Sequence, residues 1–161
     1  MAQSPVSPLL PTPPNPLPGS VLFCCDHNAV RSPMAEAMMK RLHGTKVFVQ
    51  SAGVKNDMEV DPFAVAACAE IGVALETHKV RSFEELAQGG DQLDGYELIV
   101  ALSPAAQRAA LDQTRWFATE VRYWPTLDPT GIGETREQKL DAYRQTRDQI
   151  LARLRAEFPA F

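Results

Sequence analysis

Cys25 and Arg31 are separated by five residues, and Ser32 and Pro33 follow the arginine directly. Residues 21–24, just before the cysteine, form a short apolar run, and the residues from Pro33 onward favour a helix. The predicted order is therefore strand, tight loop, helix. Backbone N–H groups of such a loop, with those of the first helical turn, form a nest for an oxyanion. The Arg31 guanidinium suits a phosphate, and the Cys25 thiol inside the nest is a candidate nucleophile.

The predicted oxyanion-binding loop consists of seven residues, which are Asp26, His27, Asn28, Ala29, Val30, Arg31 and Ser32. Asn28 tolerates the left-handed backbone conformation that a tight loop needs, and we expect its side chain to tie the loop together. We expect Ser32 to stabilise the thiolate of Cys25 or to assist it as a leaving group. The carboxylate of Asp26 is expected to point away from the loop, since it would repel a bound phosphate.

Strand and helix patterns alternate along the rest of the chain, which is typical of a parallel sheet covered by helices on both faces. Apolar or alternating runs predict strands over residues 21–24, 46–50, 96–102 and 121–124. Capped or amphipathic runs predict helices over residues 33–42, 63–71, 104–111 and 134–158, with a short helix after Ser82. The expected fold is a single α/β domain over residues 20–161, built on a small doubly wound, four-stranded parallel sheet. Ligands of such sheets bind beyond the carboxyl ends of the strands, which is where Cys25 falls.

Transfer of a phosphoryl group to Cys25 needs a proton donor for the leaving oxygen, and two Asp-Pro pairs offer a carboxylic acid. Asp61 is followed by a proline and a helix-forming run, so we expect its carboxylate to cap that helix. Asp128 is followed by a proline and the flexible run 130–133, which does not start a helix. Asp128 is therefore the predicted general acid, with a side chain free to lie over the loop.

Other cysteines and histidines receive structural interpretations. We expect Cys24 to face away from Cys25, because side chains alternate along a strand. Cys68 lies in an Ala-rich helical run and is expected in the core, whereas His43, near a helix end, is expected at the surface.

The stretch 21–39 resembles the phosphate-binding loop of the low-molecular-weight protein tyrosine phosphatase family, which also includes thioredoxin-coupled arsenate reductases. Further short matches follow along the chain, and they are Ser51-Ala52-Gly53, Asp61-Pro62, His78-Lys79 and Asp128-Pro129. The resemblance implies a small doubly wound α/β domain, a cysteinyl-phosphate intermediate and an aspartic general acid. It also implies that Ser51 bonds to Asn28 and braces the loop, and that His78 has a mainly structural role.

Two parts of the sequence depart from the pattern of that family. Val30 stands where many eukaryotic-type members have a second loop cysteine, so a protective disulfide with the nucleophile cannot form there. Thr130 and Gly131 stand where the tyrosine phosphatases usually carry aromatic residues that flank a phenyl ring. Met58 or Trp124 are the candidates to line the pocket instead.

Hydrolysis of a phosphomonoester through Cys25 is the predicted function. The expected partner is a phosphorylated protein or a small aryl phosphate, and inorganic phosphate or another oxyanion is the expected ligand of the loop. An arsenate reductase that uses Cys25 with an external small thiol is the alternative, because the stretch 101–111 has no cysteine for an internal relay. A phosphate-binding module without catalysis is a third hypothesis, which the joint presence of Cys25, Arg31 and Asp128 disfavours.

Composition restricts the other classes of protein to which this chain could belong. The 161 residues carry a formal net charge of -4 and three cysteines, and this acidic balance gives no sign of nucleic-acid binding. The sequence predicts no membrane segment, and its unpaired thiols are typical of a reducing compartment, so a cytoplasmic protein is expected. No metal or other cofactor is predicted, since no cluster has ligand spacing. Residues 1–19 hold seven of the thirteen prolines and are predicted to be a disordered tail.

Overall fold

The computed structural model describes residues 17–159, so the tail predicted for residues 1–19 lies outside the described residues except for its last three. Four strands form one sheet, and they are β1 (Ser20–Cys25), β2 (Phe48–Gly53), β3 (Leu98–Ala101) and β4 (Glu120–Tyr123). The α-helices of the described part are α1 (Arg31–His43), α2 (Pro62–Ala69), α3 (Phe83–Gln88), α4 (Pro104–Thr114) and α5 (Arg136–Glu157). Short 3-10 helices, Gly44–Lys46 and Leu93–Gly95, precede β2 and β3.

The strands lie in the order β2-β1-β3-β4, and every neighbouring pair is parallel. This arrangement confirms the predicted four-stranded parallel sheet. β1 has β2 on one side and β3 on the other, so the chain changes direction across the sheet beside β1. A ligand crevice is expected at the carboxyl end of such a strand, and Cys25 is the last residue of β1. Across residues 17–159, no helix combines the length and the apolar character needed to cross a membrane.

The second strand lies later in the sequence than predicted. β2 covers Phe48–Gly53 instead of residues 46–50, because a 3-10 turn occupies Gly44–Lys46. Its pairing with β1 continues to Gly53, which lies opposite Cys25. This extension brings the polar end of β2 beside the loop that follows β1.

Two groups of buried residues cover the two faces of the sheet. Side chains of α1, α2 and α5 pack on one face in a cluster that includes Cys25, and side chains of α3 and α4 pack on the other in a cluster that includes Cys24. Adjacent cysteines therefore face opposite ways, as predicted, and Cys68 is buried in the first cluster. The expectation of a surface position for His43 is wrong. Its ring is buried, and Nε2 lies 3.0 Å from the carbonyl oxygen of Phe158.

Asp61 caps α2, as its position before Pro62 predicts. Its Oδ1 accepts a hydrogen bond from the backbone N–H of Phe63 at 2.8 Å, and its Oδ2 accepts one from the Tyr143 hydroxyl at 2.6 Å. Both carboxylate oxygens are thus engaged in structural contacts. These bonds join the start of α2 to α5.

A substitution at Leu154 tests how strongly the stability of the protein depends on the buried face of α5. The side chain is fully buried, so Leu154→Ala should lower the free energy of unfolding by about 2–5 kcal/mol, through lost apolar burial and the cavity left behind. Arg155 is the matched control, since it is exposed on the next position of the same helix. Arg155→Ala should change the free energy of unfolding by less than about 0.5 kcal/mol. Chemical denaturation of both variants measures the difference, and equal effects would contradict the packing described.

Candidate active site

The loop between Cys25 and Arg31 is held from outside through its carbonyl groups. The carbonyl oxygens of Cys25, Asp26 and Ala29 accept hydrogen bonds from the backbone N–H groups of Val54, Lys55 and Asp61, at 3.1, 2.9 and 3.0 Å. In a trans peptide the N–H points away from its own carbonyl group. The N–H groups that follow these carbonyls are therefore directed into the loop. This orientation produces a concave, donor-lined surface suited to an oxyanion.

Cys25 lies at the base of this loop, almost completely buried. Its Sγ is 2.9 Å from the Ser32 hydroxyl, and the backbone N–H of Ser32 donates to the same sulfur at 3.4 Å. Ser32 belongs to the first turn of α1, where backbone N–H groups are free and the helix dipole is positive. The sulfur thus contacts both the hydroxyl and the backbone N–H of Ser32, the residue predicted to stabilise its thiolate form.

Asn28 has a left-handed backbone conformation, with φ of 56°, and is the one non-glycine residue among residues 17–159 with a positive φ. Its side chain is fully buried. The amide Nδ2 donates to the hydroxyls of Ser32 and Ser51 at 2.9 Å each. Oδ1 accepts from the backbone N–H of Arg81 and lies 3.0 Å from Nε2 of His78. The bond between Ser51 and Asn28 that the family resemblance implied is therefore present.

A buried carboxylate that sequence reasoning missed lies behind this network. Ser51 Oγ donates to Glu36 Oε1 at 2.5 Å, and Lys40 Nζ lies 2.5 Å from Glu36 Oε2. His78 Nδ1 is 4.0 Å from the same carboxylate. Burial lowers the pKa of His78, although the charge of Glu36 opposes that change. One signal was available in the sequence, since Glu36 stands four residues before Lys40, the spacing of an ion pair on one helix face.

Arg31 lies across the open side of the loop and is mostly buried. One guanidinium nitrogen donates to the carbonyl oxygens of Leu102 and Thr126 at 3.4 and 3.1 Å. These carbonyls follow β3 and β4, so two strand ends fix the position of the guanidinium. Its other terminal nitrogen lies 3.8 Å from a carboxylate oxygen of Asp26 and 3.8 Å from one of Asp128.

The expectation that Asp26 points away from the loop is wrong. Ser103, which caps α4, donates from its hydroxyl to Asp26 Oδ1 at 2.6 Å. Asp26 Oδ2 faces Arg31. The repulsion that a free carboxylate would exert on an anion is reduced here, because the carboxylate is bonded on one oxygen and lies beside a guanidinium on the other.

Asp128 lies after β4 and faces the same guanidinium. Thr130 donates to Asp128 Oδ1 twice, from its backbone N–H at 3.1 Å and from its hydroxyl at 2.6 Å. Partial burial raises the pKa of Asp128, but the two Thr130 bonds and the charge of Arg31 together outweigh it and lower the pKa. In the free protein the group is therefore a carboxylate at neutral pH. Its side chain remains half-exposed.

A small pocket brings most of the predicted site residues together, whereas Asn28, Ser32 and Ser51 lie outside its lining. The lining consists of Cys25, Asp26, His27, Ala29, Val30, Arg31, Met58, Asp128 and Thr130. Met58 thus lines the pocket, as one of the two candidates suggested, whereas Trp124 is buried in the core. His27 lies at the rim, where its Nδ1 is 2.7 Å from a carboxylate oxygen of Asp57. Among residues 17–159 no group of histidine, cysteine and carboxylate side chains has the geometry to hold a metal ion.

Cys24 and Cys68, the two other thiols, are fully buried and unbonded to each other. Burial, with the neighbouring Cys25, raises the pKa of Cys24 well above its usual value. Burial also raises the pKa of Cys68 to about 11, although Arg147 lowers it slightly. Neither thiol has the exposure or ionisation of a reactive cysteine.

Gly53 is the point of closest approach between β2 and the loop. A Cβ atom at this position would lie 2.7 Å from the backbone nitrogen of Asn28 and 2.7 Å from the carbonyl carbon of His27. These are backbone atoms, so Gly53→Ala must displace the loop. We expect phosphate affinity, measured by isothermal titration calorimetry, to fall by about ten- to a hundredfold, because small displacements of positioned groups have effects of that size.

The matched control for Gly53 is Gly95→Ala, where an added Cβ meets no atom within 4 Å. This variant should bind phosphate as the wild type does. Wild-type phosphate affinity in Gly53→Ala would contradict the close approach.

Thr130 provides a test of the charge state of Asp128. Thr130→Val removes the hydroxyl donor and leaves the backbone donor, so the carboxylate loses stabilisation and the pKa of Asp128 should rise. Carbon-detected NMR titration of the Asp128 carboxyl measures the change. Thr126→Val is the control, since the Thr126 hydroxyl bonds to the Trp124 carbonyl and does not contact Asp128. An unchanged or lower pKa in Thr130→Val would exclude the proposed bond.

Comparison with known proteins agrees with this geometry. A family model described as low molecular weight phosphotyrosine protein phosphatase matches residues 20–158. The low molecular weight protein-tyrosine-phosphatase Etp of Escherichia coli O157:H7 is 35% identical over 135 residues, covering 80% of each chain. An arsenate reductase of Halalkalibacterium halodurans is 32% identical over 136 residues, covering 84% of this chain and 91% of the relative.

A solved structure shows the same fold. The crystal structure of a YwlE mutant from Bacillus subtilis superposes with a TM-score of 0.69 at 30% identity, covering 85% of this chain and 94% of that one. YwlE is described as an arginine phosphatase. The model match extends from the first strand to the end of the last helix and includes every residue of the pocket. The chain therefore belongs to the low-molecular-weight phosphotyrosine protein phosphatase family.

Proposed function

We propose that the protein hydrolyses phosphomonoesters through a covalent intermediate on Cys25. The observation that carries this proposal is the meeting of three groups in one pocket: a thiol among hydrogen-bond donors, a guanidinium fixed by two strand ends, and the carboxyl group of Asp128. A binding module needs the loop and the arginine alone. A carboxyl group beside the loop is needed in addition where a leaving oxygen must be protonated.

The first step forms the phosphoenzyme. The thiolate of Cys25 attacks phosphorus opposite the leaving oxygen, while the loop N–H groups and Arg31 bind the equatorial oxygens. A bound phosphoryl group places negative charge beside Asp128, which raises its pKa above that of the free protein and favours the acid form. Asp128 then gives its proton to the leaving oxygen. The bond from sulfur to phosphorus forms as the bond from phosphorus to the leaving oxygen breaks.

The second step returns the free enzyme. Asp128, now a carboxylate, takes a proton from water, and the water oxygen attacks phosphorus. The electron pair of the sulfur–phosphorus bond returns to Cys25, where the Ser32 hydroxyl and N–H stabilise the departing thiolate. Support for a phosphoenzyme comes from the relative YwlE, of which a serine variant is described with a phosphorylated active-site serine.

The proposed substrate is a phosphorylated protein or a small aryl phosphate. Met58 and Thr130 border both the Cys25 pocket and a neighbouring groove that contains Phe63, Ile132 and Tyr143. This groove offers an apolar surface for the group that carries the phosphate.

Arsenate reduction is a second candidate, because arsenate reductases of comparable similarity are found among the relatives. Cys25 would displace water from arsenate, and attack of a second thiol on Cys25 would release arsenite and leave a disulfide. That second thiol must belong to an external small molecule, since Cys24 and Cys68 are fully buried. Two electrons then pass from the thiol pair to arsenic.

Variants at two positions test the mechanism in steady-state assays with aryl phosphates. Cys25→Ser should reduce turnover by at least about a thousandfold, because the nucleophile is lost. Asp128→Asn should lower kcat by about a hundred- to ten-thousandfold for esters with basic leaving groups, and far less for activated esters. That dependence on the leaving group identifies a proton donor.

Asp26→Asn is the matched control, since both carboxylates lie 3.8 Å from Arg31. Its effect should be independent of the leaving group. A stronger leaving-group dependence in Asp26→Asn than in Asp128→Asn would transfer the acid role to Asp26. Negligible ester turnover by the wild type, together with thiol-dependent arsenite formation, would replace the phosphatase by the reductase.

A further inference from the structure

A second, larger cavity lies behind the loop, between α1 and the segment 72–81. It has a volume of about 570 Å³, within the range of roughly 300–1,000 Å³ typical of small-molecule sites. None of the Cys25 pocket residues borders it. Its lining consists of Pro33, Glu36, Ala37, Lys40, Arg41, Gln50, Gly72, Val73, Ala74, Leu75, Thr77, His78, Lys79 and Arg81.

The lining is basic although the chain is acidic. The sequence has 16 lysines and arginines against 20 aspartates and glutamates. Four of the basic residues, Lys40, Arg41, Lys79 and Arg81, meet here with one acidic residue, Glu36. The charge of Glu36 is matched by Lys40. The remaining positive charges attract an anion.

Two of these cations are available to a ligand. Among the described residues no carboxylate pairs with Lys79, which is exposed. Arg41 is also exposed, and its guanidinium donates to the carbonyl oxygen of Gly72 at 2.7 Å without a carboxylate partner. The apolar residues that border the cavity beside them are Pro33, Ala37, Val73, Ala74 and Leu75, and of these Ala37 and Ala74 keep exposed surface. The cavity thus combines free positive charge with an apolar surface.

The same segment contacts the catalytic loop directly. His78 and the backbone N–H of Arg81 both meet Oδ1 of Asn28 at 3.0 Å, and the Arg81 carbonyl oxygen accepts from the N–H of Gly53 at 2.8 Å. Asn28 in turn bonds to Ser32, whose hydroxyl contacts Cys25. A ligand that shifts residues 78–81 therefore changes the position of Asn28, two hydrogen bonds from the sulfur.

We propose that this cavity is a second binding site, for a small anion that carries an apolar group, and that its occupancy changes oxyanion binding at Cys25. The anionic group contacts Arg41 and Lys79, and the apolar group packs on the apolar residues that border the cavity, which include Ala37 and Ala74. Neither binding nor coupling requires that the protein be a phosphatase, so both are measured without turnover.

Binding is tested with naphthalenesulfonate, which joins a sulfonate to an apolar ring and cannot be hydrolysed as a phosphate ester. Its fluorescence reports saturable binding. Arg31→Ala removes the loop guanidinium and should keep the affinity for naphthalenesulfonate within about twofold of the wild type. The double variant Arg41→Gln, Lys79→Gln loses two charge contacts and should bind naphthalenesulfonate about tenfold more weakly. Lys46→Gln, Arg108→Gln makes the same change in net charge at exposed positions outside the cavity and should bind as the wild type does.

Two results would overturn the binding site. One is the absence of saturable binding to the wild type. The other is binding that is lost in Arg31→Ala and kept in Arg41→Gln, Lys79→Gln, which would place the sulfonate in the catalytic loop alone. Thermal unfolding of each variant verifies that it is folded.

Coupling is tested through orthovanadate, an oxyanion probe of the catalytic loop. Its dissociation constant should change by at least about threefold as naphthalenesulfonate is added, and should reach a plateau, because coupling between two sites is bounded. The change should be absent in Arg41→Gln, Lys79→Gln. An unchanged constant, or one that rises without limit as in direct competition, would overturn the coupling. Failure of the aryl phosphate assays would overturn the proposed phosphatase function. It would leave the second binding site and its coupling to the loop supported, provided that the naphthalenesulfonate and orthovanadate measurements give the expected results.

Discussion

The side-chain amide of Asn28 is fully buried, so water cannot satisfy its polar atoms, and the protein must supply every partner. The partners come from α1, β2 and the segment 78–81, which are distant from one another in the sequence. These bonds also hold a backbone conformation that non-glycine residues rarely adopt. The position of Ser32, and with it the environment of the Cys25 sulfur, therefore depends on one buried amide and on the packing that surrounds it.

The central position of β1 decides which groups can reach Cys25. β3 and β4 end on one side of it, and the carbonyl groups that follow them fix Arg31 and lead to Asp128. β2 ends on the other side, where it supplies Ser51 and the close approach at Gly53. A parallel sheet with this strand order delivers all of these groups to one edge. The geometry of the candidate site is in this sense a property of the strand order.

Local patterns predicted most of the fold and several contacts of the candidate site. The alternation of strands and helices, the Asp61 cap and the left-handed Asn28 all follow from short stretches of sequence. Three contacts could not be predicted in this way. They join Asp26 to Ser103, His43 to Phe158 and Glu36 to Ser51, and the two residues of each pair are distant along the chain. A residue that looks like a surface charge acquires a buried role only when a remote segment supplies the matching donor. The start of β2 was misplaced because a 3-10 turn occupies Gly44–Lys46, and pairing with β1 then runs from Phe48 to Gly53.

The opposite orientations of Cys24 and Cys25 have a consequence for oxidative stress. Peroxide converts a catalytic thiolate to a sulfenic acid, which is rescued when a neighbouring thiol condenses with it and is otherwise oxidised further. Cys24 faces the other side of the sheet, Cys68 is sealed in the core, and Val30 occupies the loop. Among residues 17–159 no thiol is placed to trap the sulfenic acid. If Cys25 acts as proposed, recovery of its oxidised form depends on a diffusible thiol from the surroundings.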